Sequence, residues 1–103
     1  MEPAVRQKIE KDIKANKVML YMKGTPDAPQ CGFSARVVDI LRQYKVPFHS
    51  CNILEDEAIR QGVKEYADWP TIPQIYVDGE FIGGCDILTE LHENGELEKI
   101  LGK

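Results

Sequence analysis

The sequence predicts an α/β fold: a mixed four-stranded sheet flanked by helices on both faces. Three observations lead there. Short apolar runs suited to strands alternate with amphipathic stretches of about 10 to 12 residues, the pattern of a right-handed βαβ unit. Asp78-Gly79 stands between "QIYV" and "EFIGG", the turn dipeptide of a two-residue hairpin. No linker, repeat or low-complexity segment divides the chain, so residues 1–103 are expected to make one domain.

Each element has its own signal. Residues 4–15 carry Val5, Ile9 and Ile13 at four-residue spacing among charges, an amphipathic helix with one narrow apolar stripe. "VMLYM" (18–22) suits a buried strand. "KGTPDAPQ" (23–30), with one Gly and two Pro, reads as a loop. From Phe33 to Tyr44 the apolar residues fall at 33, 37, 38, 40, 41 and 44, a helical pattern that Val46-Pro47 ends. "FHSCNI" (48–53) reads as a second strand, and residues 56–67 as a helix with Ile59, Val63 and Tyr66 inward. "WPTIP" breaks the chain before the hairpin. Asp86 is placed to cap a helix over 87–94 that stops at Asn94-Gly95, and a short last helix carries Leu97, Ile100 and Leu101.

Composition narrows the function classes. Hydrophobic residues make up 43% and charged residues 29%, an ordinary balance for a globular domain. The net charge of −4 leaves no electrostatic footprint for nucleic acid or an anionic membrane, and no apolar run approaches the roughly 20 residues that span a bilayer. Three scattered cysteines are too few for a secreted disulfide framework, so reducing, intracellular conditions are expected. The N-terminal stretch resembles neither a signal nor a transit peptide, but a precursor that has lost its leader would look the same. A bacterial cytoplasm and a mitochondrial matrix are therefore both expected compartments.

The chemistry centres on "PQCGFSA". Cys31 falls at a strand–loop–helix junction, where free N–H groups and the helix dipole stabilise a thiolate, and Lys23 is positioned to add a charge. A two-thiol redox motif would place a second cysteine three residues on; Ser34 is there instead. Ser34 can donate a hydrogen bond to a thiolate and cannot resolve a mixed disulfide. Ile72-Pro73 opens a strand as either an ordinary trans turn or a cis bond. "GGCD" (83–86) offers two glycines for close backbone approach and a helix start, or simply a tight turn with its cap. His49 and His92 are isolated, and no spacing suits structural zinc. Cys51, in mid-strand, reads as an inert buried thiol.

Together "YMKGTP", "PQCGFSARVV", "NILED", "WPTIPQIYVDGEFIGGCD" and "GELEKIL" resemble the CGFS-type monothiol glutaredoxins over nearly the whole chain. The resemblance implies a thioredoxin-like fold with a cis Pro73 and a glutathione groove beside Cys31. It implies that Lys23 and Arg60 face the glycine carboxylate of glutathione. The backbone of Ile72, with Thr71 adjoining, would pair with its cysteine unit, and Cys85 and Asp86 would take its γ-glutamyl end. Phe33 is expected at the rim and Trp69 as a structural residue. An oxidative Cys31–Cys85 disulfide is a further possibility.

The same resemblance implies a 2Fe–2S cluster. Such a cluster takes four ligands; Cys31 and one glutathione from each protomer of a homodimer complete the set. The chain is then expected to receive a cluster from a scaffold protein and pass it to acceptor proteins. The alternative is a glutathione-dependent thiol–disulfide oxidoreductase acting on glutathionylated proteins.

Overall fold

The computed structural model describes residues 1–103. Its elements run α1 (Pro3–Ala15), β1 (Val18–Met22), β2 (Gly24–Thr25), β3 (Ala28–Pro29), α2 (Gly32–Gln43), β4 (His49–Asn52), a 3-10 turn (Ile53–Glu55), α3 (Glu57–Ala67), β5 (Gln74–Val77), β6 (Glu80–Gly83), α4 (Cys85–Glu93) and α5 (Glu96–Leu101). The main sheet has the order β4-β1-β5-β6. β1 pairs parallel with β4 (Leu20 opposite Ser50) and antiparallel with β5 (Leu20 opposite Ile75), and β5–β6 is the hairpin. This is the mixed, thioredoxin-like sheet that the sequence predicts.

β1 explains why "VMLYM" has no polar residue. It is a central strand buried along its whole length, and its side chains alternate between two covered faces. Val18, Leu20 and Met22 join Val37, Ile40 and Leu41 of α2, Leu88 of α4 and Leu97 of α5. Met19 and Tyr21 join Ile9 and Ile13 of α1 and Ile59 and Val63 of α3. The charged sides of those helices face water. None of the helices is long and apolar enough to cross a membrane.

Two local expectations are corrected. Residues 23–30 are not wholly loop: β2 and β3 form a small antiparallel ladder, Gly24 opposite Pro29 and Thr25 opposite Ala28. Gln30 N–H donates to the Lys23 carbonyl at 2.9 Å, and Thr25 Oγ1 accepts from Ala28 N–H at 3.2 Å. The two prolines fit because so short a ladder asks little of their missing N–H groups. Asp86 is not the cap of α4 either. The helix begins at Cys85 with Gly84 as N-cap, which puts Asp86 inside the first turn, where its charge meets the positive end of the dipole.

Candidate functional site

The site is built where two helices begin side by side at one end of the sheet. Cys31 is the N-cap residue of α2, and Gly84 is the N-cap of α4; neither helix start is closed by a side-chain hydrogen bond. Both therefore present first-turn N–H groups without intrahelical partners. A cleft of about 450 Å³ lies between them. Lys23, Cys31 and Phe33 line it on one side, Lys64 and residues 69–73 on another, and Gly84, Cys85, Asp86 and Ile87 on the third.

The Cys31 wall is fixed from below. Lys23 ends the turn after β1, and its backbone N–H donates to Ser34 Oγ at 3.1 Å. Ser34 is fully buried, so this bond ties the end of β1 to the first turn of α2. Asn52 Oδ1 accepts from Gly24 N–H at 2.9 Å and from Leu54 N–H at 3.0 Å, anchoring the same turn to the end of β4. Gly24 has φ +90°, and a Cβ there would stand 2.6 Å from Ala28 O and from Gln30 N; only glycine fits. Arg42 of α2 reaches back to Asp27 at 2.9 Å and holds the ladder against the helix.

The opposite wall is "WPTIP". Ile72-Pro73 is a cis peptide. Gly84 lies against this wall: a Cβ on it would come within 3.1 Å of the Pro73 carbonyl oxygen and 3.4 Å of Trp69 Nε1. Trp69 packs edge-on to Phe81, with ring centroids 5.5 Å apart. The glycine pair of "GGCD" thus brings the start of α4 into contact with the proline wall, which gives the close approach a definite neighbour.

The electrostatics follow from this frame. The Cys31 thiol titrates below its ordinary value. Its sulfur makes no capping hydrogen bond of regular geometry, but the Ser34 backbone N–H is the largest influence. Partial burial opposes the shift, while the Phe33 N–H, the Lys23 charge and the Ser34 hydroxyl reinforce it. Burial pushes the Cys51 thiol upward instead. Lys23, Arg60, Lys64 and Asp86 take part in none of the ion pairs within the chain. The cleft therefore presents two uncommitted cations, one uncommitted carboxylate and a thiol poised to ionise. Phe33, 63% exposed, stands at the rim.

Most residues singled out from the sequence come together here: Lys23, Cys31, Thr71, Ile72, Pro73, Cys85 and Asp86 all line the cleft. Arg60 does not. It lies on α3 one turn before Lys64, and it is Lys64 that reaches the lining. The sequence offered a signal for Lys64, since residues four apart share a helix face. Cys85 and Cys31 are both free thiols, and Cys85 Sγ lies 3.9 Å from Thr89 Oγ1. His92 is not isolated: its Nδ1 meets Tyr44 Oη at 2.6 Å, joining α4 to the end of α2 away from the cleft. No group of three His, Cys, Asp or Glu side chains is placed to hold a metal ion.

The sequence profile of the glutaredoxin family matches residues 18–82, the stretch from β1 through β6 that holds most of this cleft. The chain belongs to the glutaredoxin family. Relatives place this glutaredoxin more closely. An uncharacterised monothiol glutaredoxin of Synechocystis is 54% identical over 101 residues, covering 98% of this chain and 94% of the relative. The mitochondrial monothiol glutaredoxin S15 of Arabidopsis thaliana is 55% identical over 93 residues, covering 90% of this chain but only 55% of the relative's length. Among solved structures, reduced apo GrxS14 from poplar superposes with a TM-score of 0.84 at 53% identity, covering 98% of this chain and 96% of that one. The lone cysteine of "CGFS" fits the monothiol description that these relatives carry.

Proposed function

We propose that this monothiol glutaredoxin binds glutathione in the cleft and, as a homodimer, carries a 2Fe–2S cluster from a scaffold protein to acceptor proteins. The observation that supports this best is Cys31, a thiol whose pKa is lowered at a helix start, beside a cleft whose charges match the tripeptide. Glutathione has two carboxylates, one ammonium and one thiol. Lys23 and Lys64 suit the glycine carboxylate, with Arg60 one turn away on α3. The open first turn of α4 at Cys85 suits the γ-glutamyl carboxylate, and the Asp86 side chain its ammonium. The backbone of Thr71 and Ile72, ahead of Pro73, suits the peptide in the middle.

The chain fits a shared cluster as one quarter of its ligand set. It contributes Cys31, whose lowered pKa favours the thiolate that binds iron, and no group of three His, Cys, Asp or Glu side chains is placed to hold a metal within one chain. Two Cys31 thiolates and two glutathione thiolates give the four ligands a 2Fe–2S cargo takes. Half of that set is small and dissociable, which suits delivery over storage. Residues 1–103 would act as one glutaredoxin domain. A mitochondrial matrix or a bacterial cytoplasm is compatible with relatives that are bacterial, mitochondrial and chloroplastic.

The lowered Cys31 pKa favours a second reading, glutathione-dependent reduction. The Cys31 thiolate would attack the glutathione sulfur of a protein–glutathione mixed disulfide, forming Cys31–S–SG and releasing the protein thiolate. A second glutathione thiolate would then attack that sulfur, giving oxidised glutathione and regenerating Cys31. Anaerobic reconstitution with iron, sulfide and glutathione separates the two. A coloured dimer with negligible disulfide-reductase turnover is the expected result. A colourless monomer with Cys31 intact would sink the carrier reading.

A further inference from the structure

Two polar side chains of this glutaredoxin are completely buried, Ser34 and Gln74, and they lie behind opposite walls of the cleft. Ser34 holds the Cys31 wall through Lys23 N–H. Gln74 opens β5 directly after Pro73 and pairs across the sheet with Tyr21, so its side chain shares the face of Tyr21 and Tyr76. An apolar residue would be ordinary at such a place.

The glutamine amide has a definite task there. Its Nε2 donates to the Trp69 carbonyl at 3.1 Å and to the Thr71 carbonyl at 3.3 Å. No backbone N–H serves either carbonyl, so the glutamine amide is their donor within the chain. The other end of the amide, Oε1, is buried with no partner, an orphan that a leucine would avoid. The two donated bonds are thus the only polar contacts the side chain makes. With those carbonyls held inward, the N–H groups of Thr71 and Ile72 donate to nothing within the chain, and both residues line the cleft.

We propose that Gln74 is a positioning residue for ligand binding: by holding the Trp69 and Thr71 carbonyls beneath the loop, it leaves the Ile72 backbone free to pair with the peptide of a bound tripeptide. This rests on the glutathione reading of the cleft. The alternative is that Gln74 only stabilises the fold.

The test measures glutathione affinity by titration calorimetry, together with thermal unfolding and the thiolate absorbance of Cys31 against pH. Gln74→Met, similar in size but without a donor, should weaken glutathione binding about tenfold while the Cys31 titration stays in place. Gln74→Asn keeps the amide but falls a methylene short, and should give an intermediate affinity; it serves alone if the Met variant does not fold. Tyr76→Phe removes a partnerless buried hydroxyl on the same face and should leave the affinity unchanged. Glutamine variants that melt earlier yet bind within twofold of the unsubstituted protein would overturn the inference, as would an equal loss in Tyr76→Phe. Failure of the unsubstituted protein to bind glutathione would overturn the cleft reading and this inference with it, and is recognised because it precedes any substitution.

Discussion

Cys31 stands at the start of a helix and Cys51 in the middle of an edge strand, and the two thiols are driven in opposite directions. Cys31 meets the Ser34 backbone N–H, against an opposing contribution from partial burial, and is then aided by the Phe33 N–H and the Lys23 charge. Cys51 packs against the core layer of α1 and α3, where burial raises its pKa and the nearby Lys8 does not offset it. Cys51 meets no comparable helix-start N–H groups. Those of an uncapped helix are free and point along the axis at the residue before it. The contrast shows that local backbone placement, more than the charge of the whole chain, makes one of these thiols the easier to ionise.

The largest expected effect breaks the comparison outright. Cys31→Ser should abolish cluster reconstitution, while Cys51→Ser leaves it intact; visible absorbance after anaerobic reconstitution reads both. In the unsubstituted protein near pH 7, mass spectrometry should find Cys31 alkylated by iodoacetamide about tenfold or more faster than Cys51.

Next comes the turn that carries Lys23. Gly24→Ala forces a left-handed backbone and a clash with Ala28 and Gln30, and should lose about 2–3 kcal/mol in urea unfolding. It should slow Cys31 alkylation and leave that of Cys51 as it was.

Ser34→Ala sharpens the cause. It leaves the Lys23 N–H without its buried acceptor, a loss of about 1–3 kcal/mol. It keeps the Ser34 backbone N–H, the largest influence on the Cys31 sulfur, so the thiolate titration by ultraviolet absorbance should move upward only slightly. A return to the ordinary thiol value would place the cause in the hydroxyl instead.

The smallest effect is on stability against pH. A thiol whose folded pKa is lowered releases its proton sooner in the folded state, so Cys31 adds stability as pH rises from its folded pKa toward its ordinary value of 9.0. That contribution is lost as pH falls through the folded pKa. Cys51, raised on folding, keeps its proton longer in the folded state and subtracts stability as pH climbs above 9.0. Urea midpoints from pH 6 to 10 should therefore show Cys31→Ser losing the first trend and Cys51→Ser losing the second.

Much of the frame was readable in the chain because it rests on short-range rules. Asp78-Gly79 fixed the hairpin, and β5 occupies Gln74–Val77, the "QIYV" run read on one side of that turn. α3 ends within a residue of its predicted limits, because Asp56 caps it through Ala58 and Ile59 N–H. The boundaries that slipped have tertiary causes. α4 begins before Asp86 because Gly84 must lie against the Pro73 carbonyl and the Trp69 ring, and the helix starts from that contact. The ladder within 23–30 depends on Asn52, which is distant in sequence.

The sequence by itself determined the covered sheet, the Cys31 thiol at a helix start and the family, since periodicity, turn chemistry and ordered motifs are all written locally. The tertiary structure decided which cation reaches the cleft, Lys64 on α3 with Arg60 one turn behind it, and which polar side chains go inside to hold its two walls. Those choices depend on how α3, the proline loop and the two helix starts pack in space, and no short-range pattern encodes distances between segments that meet only after folding.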